Sequence, residues 1–597
     1  MPSVWSQLEP LLFRVQAPSQ YIGCELNSIA KDHRTVDVKL CLAFPDTYKI
    51  GMSYLGFQIL YGTVNQRSDA LCERAFAPWV DMEKEMRAKG VPLFSLESHT
   101  PLREFDVIGF SLQHEMCYTN VLNMLDLGGI PVRSRDRSDT DPIVIAGGPT
   151  ATEPEPLAEF VDLFVMGEGE EVIHVLLDAV KELRRERVPR RRMLVELVKR
   201  IDGLYAPALY DVRYNEDGTL AAIEPNEPGI PERVKKVIAP SLDGAFYPVR
   251  PVVPFGEVVF ERIDLEVMRG CPHRCRFCQS VVLKNRLRIR SVENLVDLAE
   301  EVYKNSGYDD IGLTSLSTGD YPHLDELAIR LNARFKAKRV GISFPSLRID
   351  ENLKRIPAIM AGVRKAGFTL APEAGSVRMR SVIRKNITNK NLFDAVRAAA
   401  EHGWRVVKLY FLIGVPGETM ADYDETADLL DAVSRIGREV GGDLLQVNAT
   451  LSPHVPKPHT PYQWEPAKPI SWNDEIAQHI RNRVRRNQKI RIKLHDPQRN
   501  YVEACFSRGD RRTGEVVYNA WKRGCKFDAW DEQFYFGYWM DAFKEAGLDP
   551  DFYALRERRL EEVLPWDHVD VGVSKTSLYA ERTKSYQDAG LVAAAAS

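Results

Sequence analysis

The sequence predicts an α/β chain in three folded parts: an N-terminal Rossmann- or flavodoxin-like domain, a partial (β/α)6 barrel, and a mostly helical C-terminal extension. Three observations predict it. Two separate series of apolar strands alternate with amphipathic helices, the rhythm of parallel sheets. A Pro-rich stretch divides the two series. The remaining sequence is rich in charge and aromatics, as in "FDAWDEQFYFGYWMDAF". A chain of 597 residues fits two or three domains when one is a barrel. The boundaries are read as 1–204, 205–255, 256–488 and 489–597.

In the first series the strands are "VDVKLCLAF", "FDVIGFSL", "PIVIAGG" and "DLFVMG", with helices such as "CYTNVLNMLDLGG" and "EEVIHVLLDAVKELRRE" between them. "LYDVRYNEDGTLAAIEP" alternates around Asp217-Gly218 and reads as a β-hairpin in the connector. The second series begins at "IDLEVMRG" and continues through "DIGLTSLS", "RVGISFPSLRI", "GFTLAPEAG", "VVKLYFLIGVP" and "LLQVNATLSP". Those six βα units are too few for a closed eight-unit barrel and enough for an open three-quarter one, with its active-site loops at the C-terminal strand ends. The last stretch, "SLYAERTKSYQDAGLVAAAAS", reads as a fraying end.

Composition narrows the class. Apolar residues at 44% and charged residues at 27% are ordinary for a soluble protein. A net charge of −4 does not point to nucleic acid or anionic membrane. No apolar run reaches the roughly 18 residues of a membrane helix, and "MPSVWSQLEPLLFRVQ" lacks the plan of a signal peptide. Nine cysteines in so long a chain do not make a disulfide scaffold, so a reducing, cytoplasmic setting is expected.

Three cysteines stand together in "RGCPHRCRFCQ": Cys271, Cys275 and Cys278, at spacings of four and three, directly after the first strand of the barrel series. Structural zinc is the rival reading. It takes four closed ligands, commonly two C-x2-C pairs, and the next cysteine is Cys505, although His273 lies inside the loop. Three thiolates without a fourth suit an iron–sulfur cluster with one iron open, the mark of a reactive site.

The C-x3-C-x-Φ-C pattern, with Phe277 as its aromatic, resembles the signature of the radical S-adenosylmethionine superfamily. The resemblance implies three thiolates on a 4Fe-4S cluster, S-adenosylmethionine on the fourth iron, and a 5′-deoxyadenosyl radical that abstracts hydrogen from a substrate. It extends over about residues 264–461. "STGD" (Ser317 to Asp320) ends the second strand, where the superfamily keeps a GGE-like motif for the methionyl amine; Gly319 and Asp320 are its counterparts, with a shorter carboxylate. "APEAGS" ends the fourth strand and offers Glu373 to the ribose. "IGVPGET" ends the fifth and resembles the region near adenine, with Gly414 and Pro416 as contacts. An external electron donor such as flavodoxin or ferredoxin is implied.

The N-terminal series resembles cobalamin-binding domains, which show D-x-H-x-x-G, then S-x-L, then G-G. Asp46, Tyr48 and Gly51 form the first element, with tyrosine where the cobalt-ligating histidine stands; Ser111 is the second, with Gln113 in place of leucine; Gly147 and Gly148 are the third. "MGEGE" (Met166 to Glu170) resembles a further shared loop. A generic flavodoxin-like sheet with turn glycines is the plainer reading. Phrases such as "VPKPHTPYQW" and "LPWDHVDVGVSK" resemble a bacterial group of radical proteins with a cobalamin-type domain and a long C-terminal extension, whose substrate is not established. Methyl transfer or rearrangement at an unactivated carbon is the expected reaction, with cobalamin as a candidate cofactor.

Two basic runs, "KELRRERVPRRR" and "RNRVRRNQKIRIK", keep an RNA substrate open as the alternative, although a solvated helix face is the ordinary reading. The tRNA methylthiotransferases also resemble the chain at "IGCELN", but the contexts of Cys72 and Cys117 do not match their second cluster, so Cys24, Cys72 and Cys117 are expected to be buried apolar thiols. A cluster-bearing interaction subunit is the non-enzymatic rival. At the barrel rim, Lys457 and His459 are the substrate-side candidates.

Overall fold

The protein, a computed structural model, is described over residues 3–343 and 368–591. Its N-terminal sheet contains β1 (Val38–Phe44), β2 (Ala70–Phe76), β3 (Val107–Ser111), β4 (Ile143–Gly147), β5 (Leu163–Val165) and β6 (Leu204–Tyr205), in the order β2-β1-β3-β4-β5-β6. All neighbours pair in parallel except β5 with β6. The strands are apolar almost throughout because helices cover both faces. β2, which sequence reading did not single out, carries Glu73 and Arg74 in mid-strand. Both are buried, and both are paired: Glu73 with His33, Arg74 with Glu25 and Glu97. The order 2-1-3 puts the topological switch point between β1 and β3, where sheets of this kind receive ligands.

The connector contains the expected hairpin, β7 (Tyr210–Tyr214) and β8 (Leu220–Pro225), turning at Asp217-Gly218, and then β9 (Val234–Lys235). The barrel opens with β10 (Ile263–Glu266). A staple follows, in which β11 (Met268–Arg269) pairs antiparallel with β12 (Arg288–Ile289) and closes the base of the three-cysteine loop. β10, β13 (Asp310–Thr314) and β14 (Gly341–Ser343) form one parallel sheet. β15 (Phe368–Glu373), β16 (Val406–Ile413), β17 (Gln446–Pro453) and β18 (Ile490–Leu494) form another. The end of the expected strand "RVGISFPSLRI" lies outside the described residues. β18 is a seventh barrel strand, beyond the boundary read at 488. Its alternating Arg491 and Lys493 face outward at the sheet edge, so the run reads as basic rather than as a strand.

Helices pack outside these strands. Val292–Ser306 starts at Ser291, whose side chain accepts from the Asn294 amide, and stops at Gly307 in the left-handed region. Met420–Glu439 starts with a capping box made by Thr419 and Asp422.

The extension does not form a separate unit. Helices Pro497–Ser507, Thr513–Lys522 and Phe536–Glu545 join the core of the N-terminal sheet through Phe506, Val517 and Phe543, while the barrel keeps its own core. β19 (Val569–Asp570) pairs with β9, and the last helix, Lys575–Asp588, returns to the cysteine loop. This end is therefore docked up to Asp588 rather than frayed, because Ser585 bonds Tyr462 and Glu581 pairs with Arg384.

Candidate functional site

The site begins at Gly270, whose φ of 98° and approach to the carbonyls of Lys284 and Arg286 exclude a side chain. Cys271, Cys275 and Cys278 follow, partly buried, and all three line one cavity of about 500 Å3. Residues 572–581 of the C-terminal extension form part of its wall. Burial raises the pKa of Cys278, while the nearby charge of Lys385 opposes that shift. Three thiols around one cavity fit an iron–sulfur cluster that takes one thiolate per iron. His273, the other ligand candidate on the loop, is engaged elsewhere: its Nε2 lies 2.8 Å from Asp320 Oδ2.

The strand ends expected to meet S-adenosylmethionine converge on this loop. Gly319, buried, and Asp320, half-buried, lie in a turn just after β13, and Ser317 Oγ donates to Asp320 at 2.5 Å. Glu373 closes β15 at a register shift, with φ of 67°, unusual for a residue with a β-carbon. Its carboxyl pKa is raised by burial and opposed by Lys385 at 3.3 Å. Gly414 has φ of 85°, and a β-carbon there would lie 2.8 Å from Lys468. Phe277 packs on an apolar cluster that includes Ala374, beside Glu373, and Val415, between Gly414 and Pro416. That cluster joins three loops which sequence could only place separately.

Sequence reasoning missed Glu418. It accepts the amides of Gly414 (2.6 Å) and Val415 (2.8 Å) and the Tyr423 hydroxyl (2.5 Å). Burial pushes it up to about 7 against those bonds. Its only sequence signal was a carboxylate four residues after a loop glycine.

Lys457 and His459 lie elsewhere, in a seam between barrel rim, N-terminal sheet and extension. Lys457 Nζ contacts Glu115 (2.5 Å), Ser507 (2.8 Å) and Glu503 (2.8 Å). His459 Nε2 lies 3.3 Å from the Thr152 carbonyl. Both polar groups thus serve the seam, because the chain places acidic and carbonyl groups of other segments opposite the rim.

The residues expected around a corrin lie near the switch point, and the extension reaches Asp46 through Trp530. Asp46 accepts from the Thr47 amide (2.6 Å) and from Trp530 Nε1 (3.0 Å). Ser111 accepts from Gln113 (2.8 Å). Tyr48, 1% exposed, turns away from this edge and donates to Glu25 at 3.0 Å. A β-carbon on Gly51 would meet Phe76 at 2.4 Å, and one on Gly148 would meet the Leu112 carbonyl at 2.3 Å; Gly147 has room. The space lined by Asp46, Ser111 and Gln113 is about 10 Å3. A corrin does not fit this edge as folded here and would need the seam to open. Cys72 and Cys117 are buried as expected, but Cys24 is exposed, because it follows Gly23, pinned on the Leu96 carbonyl, in a left-handed turn.

Two family models match the chain: one for radical SAM proteins, N-terminal, over residues 56–207, and one for the radical SAM superfamily over residues 265–430. The chain belongs to the radical S-adenosylmethionine superfamily. It is an enzyme of that type, working with a 4Fe-4S cluster and S-adenosylmethionine, which sets aside the interaction-subunit reading. It is similar to the uncharacterized protein MJ0966 of Methanocaldococcus jannaschii, at 28% identity over 71% of this chain and 79% of that protein. It is also similar to a tRNA-2-methylthio-N(6)-dimethylallyladenosine synthase of Desulforamulus reducens, at 24% identity over 28% of this chain and 38% of the other. Among solved structures, the radical S-adenosylmethionine methyltransferase TsrM of Kitasatospora setae, with cobalamin and a 4Fe-4S cluster bound, aligns with a TM-score of 0.48 at 17% identity, covering 73% of this chain and 78% of that one. Among the described residues no helix is long and apolar enough to cross a membrane.

Proposed function

We propose that Cys271, Cys275 and Cys278 hold the cluster, that Asp320, Glu373 and the 414–416 loop hold S-adenosylmethionine beside it, and that the enzyme abstracts hydrogen from an unactivated carbon of its substrate. The observation that carries this reading is the single cavity lined by all three thiols, with His273 committed to Asp320. When bound, the cluster supplies the electron that cleaves S-adenosylmethionine to the 5′-deoxyadenosyl radical. The chain's own residues do the rest. Asp320, steadied by His273 and Ser317, offers a carboxylate to the methionyl ammonium, a charge-assisted contact worth about 1.5–3 kcal/mol. Glu373, half-buried beside Lys385, would meet the ribose. Phe277, Ala374 and Val415 keep water from the loop that borders them. An external one-electron donor of flavodoxin or ferredoxin type reduces the cluster.

The finer outcome is methyl transfer or rearrangement. This reading needs no cobalamin, because the space at Asp46 and Ser111, about 10 Å3, is too small for a corrin. A second reading, modification of RNA, is favoured by the likeness to the tRNA methylthiotransferase. Against it, the first basic run is largely neutralised within the fold: Arg190 bonds Asp162, Arg185 bonds Asp37, and Arg191 bonds Glu227.

One anaerobic preparation tests these readings together. Reconstituted protein should carry about four irons, and Cys271→Ala, Cys275→Ala or Cys278→Ala should abolish both the iron and 5′-deoxyadenosine formation. An iron count near eight, halved by Cys24→Ala, would overturn the single-cluster reading. Retained cobalt after supply of hydroxocobalamin would overturn the closed sheet edge and point to cobalamin-relayed methyl transfer, and co-purified tRNA would favour the second reading.

A further inference from the structure

The loop that carries the three cysteines is held at both ends by carboxyl groups of the N-terminal domain. At its entry, Arg269 lies 2.6 Å from Glu170 and 3.1 Å from Glu168. Glu168 also pairs with Arg288 of β12 at 2.7 Å and accepts the Ala239 amide at 2.8 Å. Burial opposes the charge on Glu168, but the Arg288 bond and the charge of Arg269 outweigh it and hold the group down at about 2. At the exit, Gln279, next to Cys278, donates to Glu153 Oε1 at 2.5 Å. Lys236, just after β9, donates to the carbonyls of Val282 (2.6 Å) and Leu283 (3.1 Å) in the short helix that follows.

These contacts are built rather than incidental. Glu153 and Glu168 are buried, and Arg269 and Arg288 are nearly so. The second oxygen of Glu153 is buried without a hydrogen-bond partner in the described structure. Burial, reinforced by the charge of Glu115, pushes the Glu153 carboxyl above the ordinary carboxylate range. Ion pairs at the entry and an amide–carboxyl hydrogen bond at the exit need different substitutions to be tested.

We propose that the N-terminal domain brackets the three-cysteine loop, Glu168 and Glu170 holding its entry at Arg269 and Glu153 holding its exit at Gln279, and that these carboxyl groups are positioning residues for the cluster. The domain then has a task in the chemistry that needs no cofactor at its own sheet edge. The two acids of "MGEGE" divide the work: Glu168 reaches both strands of the staple, and Glu170 only the strand leading into the loop.

The test uses the full chain in two forms. In the apoprotein, amide hydrogen exchange over residues 270–288 should quicken about tenfold or more in Glu168→Gln and Glu153→Ala. Reconstituted proteins should keep their iron, lose about tenfold in kcat for S-adenosylmethionine cleavage with KM little changed, and show an altered cluster resonance spectrum. Glu153→Gln should match the parent in each readout, because its amide oxygen keeps the acceptor that Gln279 uses. If Glu153→Ala fails to fold, Gln279→Ala removes the same contact from the barrel side and should give the same changes. Unchanged exchange and unchanged spectra in Glu168→Gln and in the exit variants would overturn the bracket. So would a Glu153→Gln protein as impaired as Glu153→Ala. The inference rests on the thiols holding the cluster, but the apoprotein exchange is read without one, so failure of either reading is seen separately.

Discussion

Glu418 shows how a single buried carboxyl organises a ligand loop. It takes three hydrogen bonds on one oxygen and thereby shapes the turn after β16. Burial is the largest influence on it, with Asp422 adding to the rise, and the folded value is about 7 against an ordinary 4.5. Below pH 4.5 the group is protonated in both folded and unfolded chains. Between pH 4.5 and 7 the folded chain keeps a proton that the unfolded chain has released, so its contribution to stability falls as pH rises. Glu418→Gln, which keeps an acceptor and removes the titration, should flatten this fall by on the order of 2 kcal/mol. Denaturant melts at pH 5 and pH 7.5 would check it, and parallel slopes for parent and variant would refute it.

Among the elements, the helix Lys575–Asp588 has the least obvious sequence and a central position. Its Leu578 is buried with Trp464, Leu564 and Trp566 and also lines the cysteine cavity. Its far end is tied by Asp588 to Arg276 of the cysteine loop at 2.7 Å. Leu578→Ala should cost about 2–5 kcal/mol, as large-to-small changes in packed sites do, and should speed loss of the reconstituted cluster in air by opening the wall. A stability change under about 1 kcal/mol would mean that the helix is not docked there.

On the scale of the whole molecule, three segments distant in sequence share one seam. Glu115 of the N-terminal domain, Lys457 of the barrel rim and Glu503 and Ser507 of the extension meet around one ammonium. Asp528 of the extension accepts from Thr119 (2.6 Å) and Trp539 (2.9 Å), and burial still pushes it up to about 6. Lys457→Met would leave Glu115 buried beside no cation and should cost about 3–5 kcal/mol, seen as a lower denaturation midpoint. A substrate-side lysine would instead change substrate KM and leave stability near the parent's, so the two roles separate in one variant.

Some of this was determined by local sequence. The three-cysteine spacing, the strand ends that follow it and the apolar βα rhythm are short-range signals: a loop's ligand set lies within a few residues, and parallel strands buried on both faces must be apolar. The hairpin at Asp217-Gly218 is local for the same reason. What sequence could not carry was decided by tertiary packing. β2 hid behind Glu73 and Arg74, whose partners come from two other segments, the stretch before β1 and the loop at Glu97. β18 hid behind an outward basic face. The extension, read only as mostly helical, reaches the N-terminal sheet edge through Trp530 and walls the cysteine cavity, and Lys457 serves the seam because Glu115, 342 residues away, is brought opposite it. Spacing within a segment is written in the chain. Which distant charge ends up facing which is settled only when buried groups must find partners.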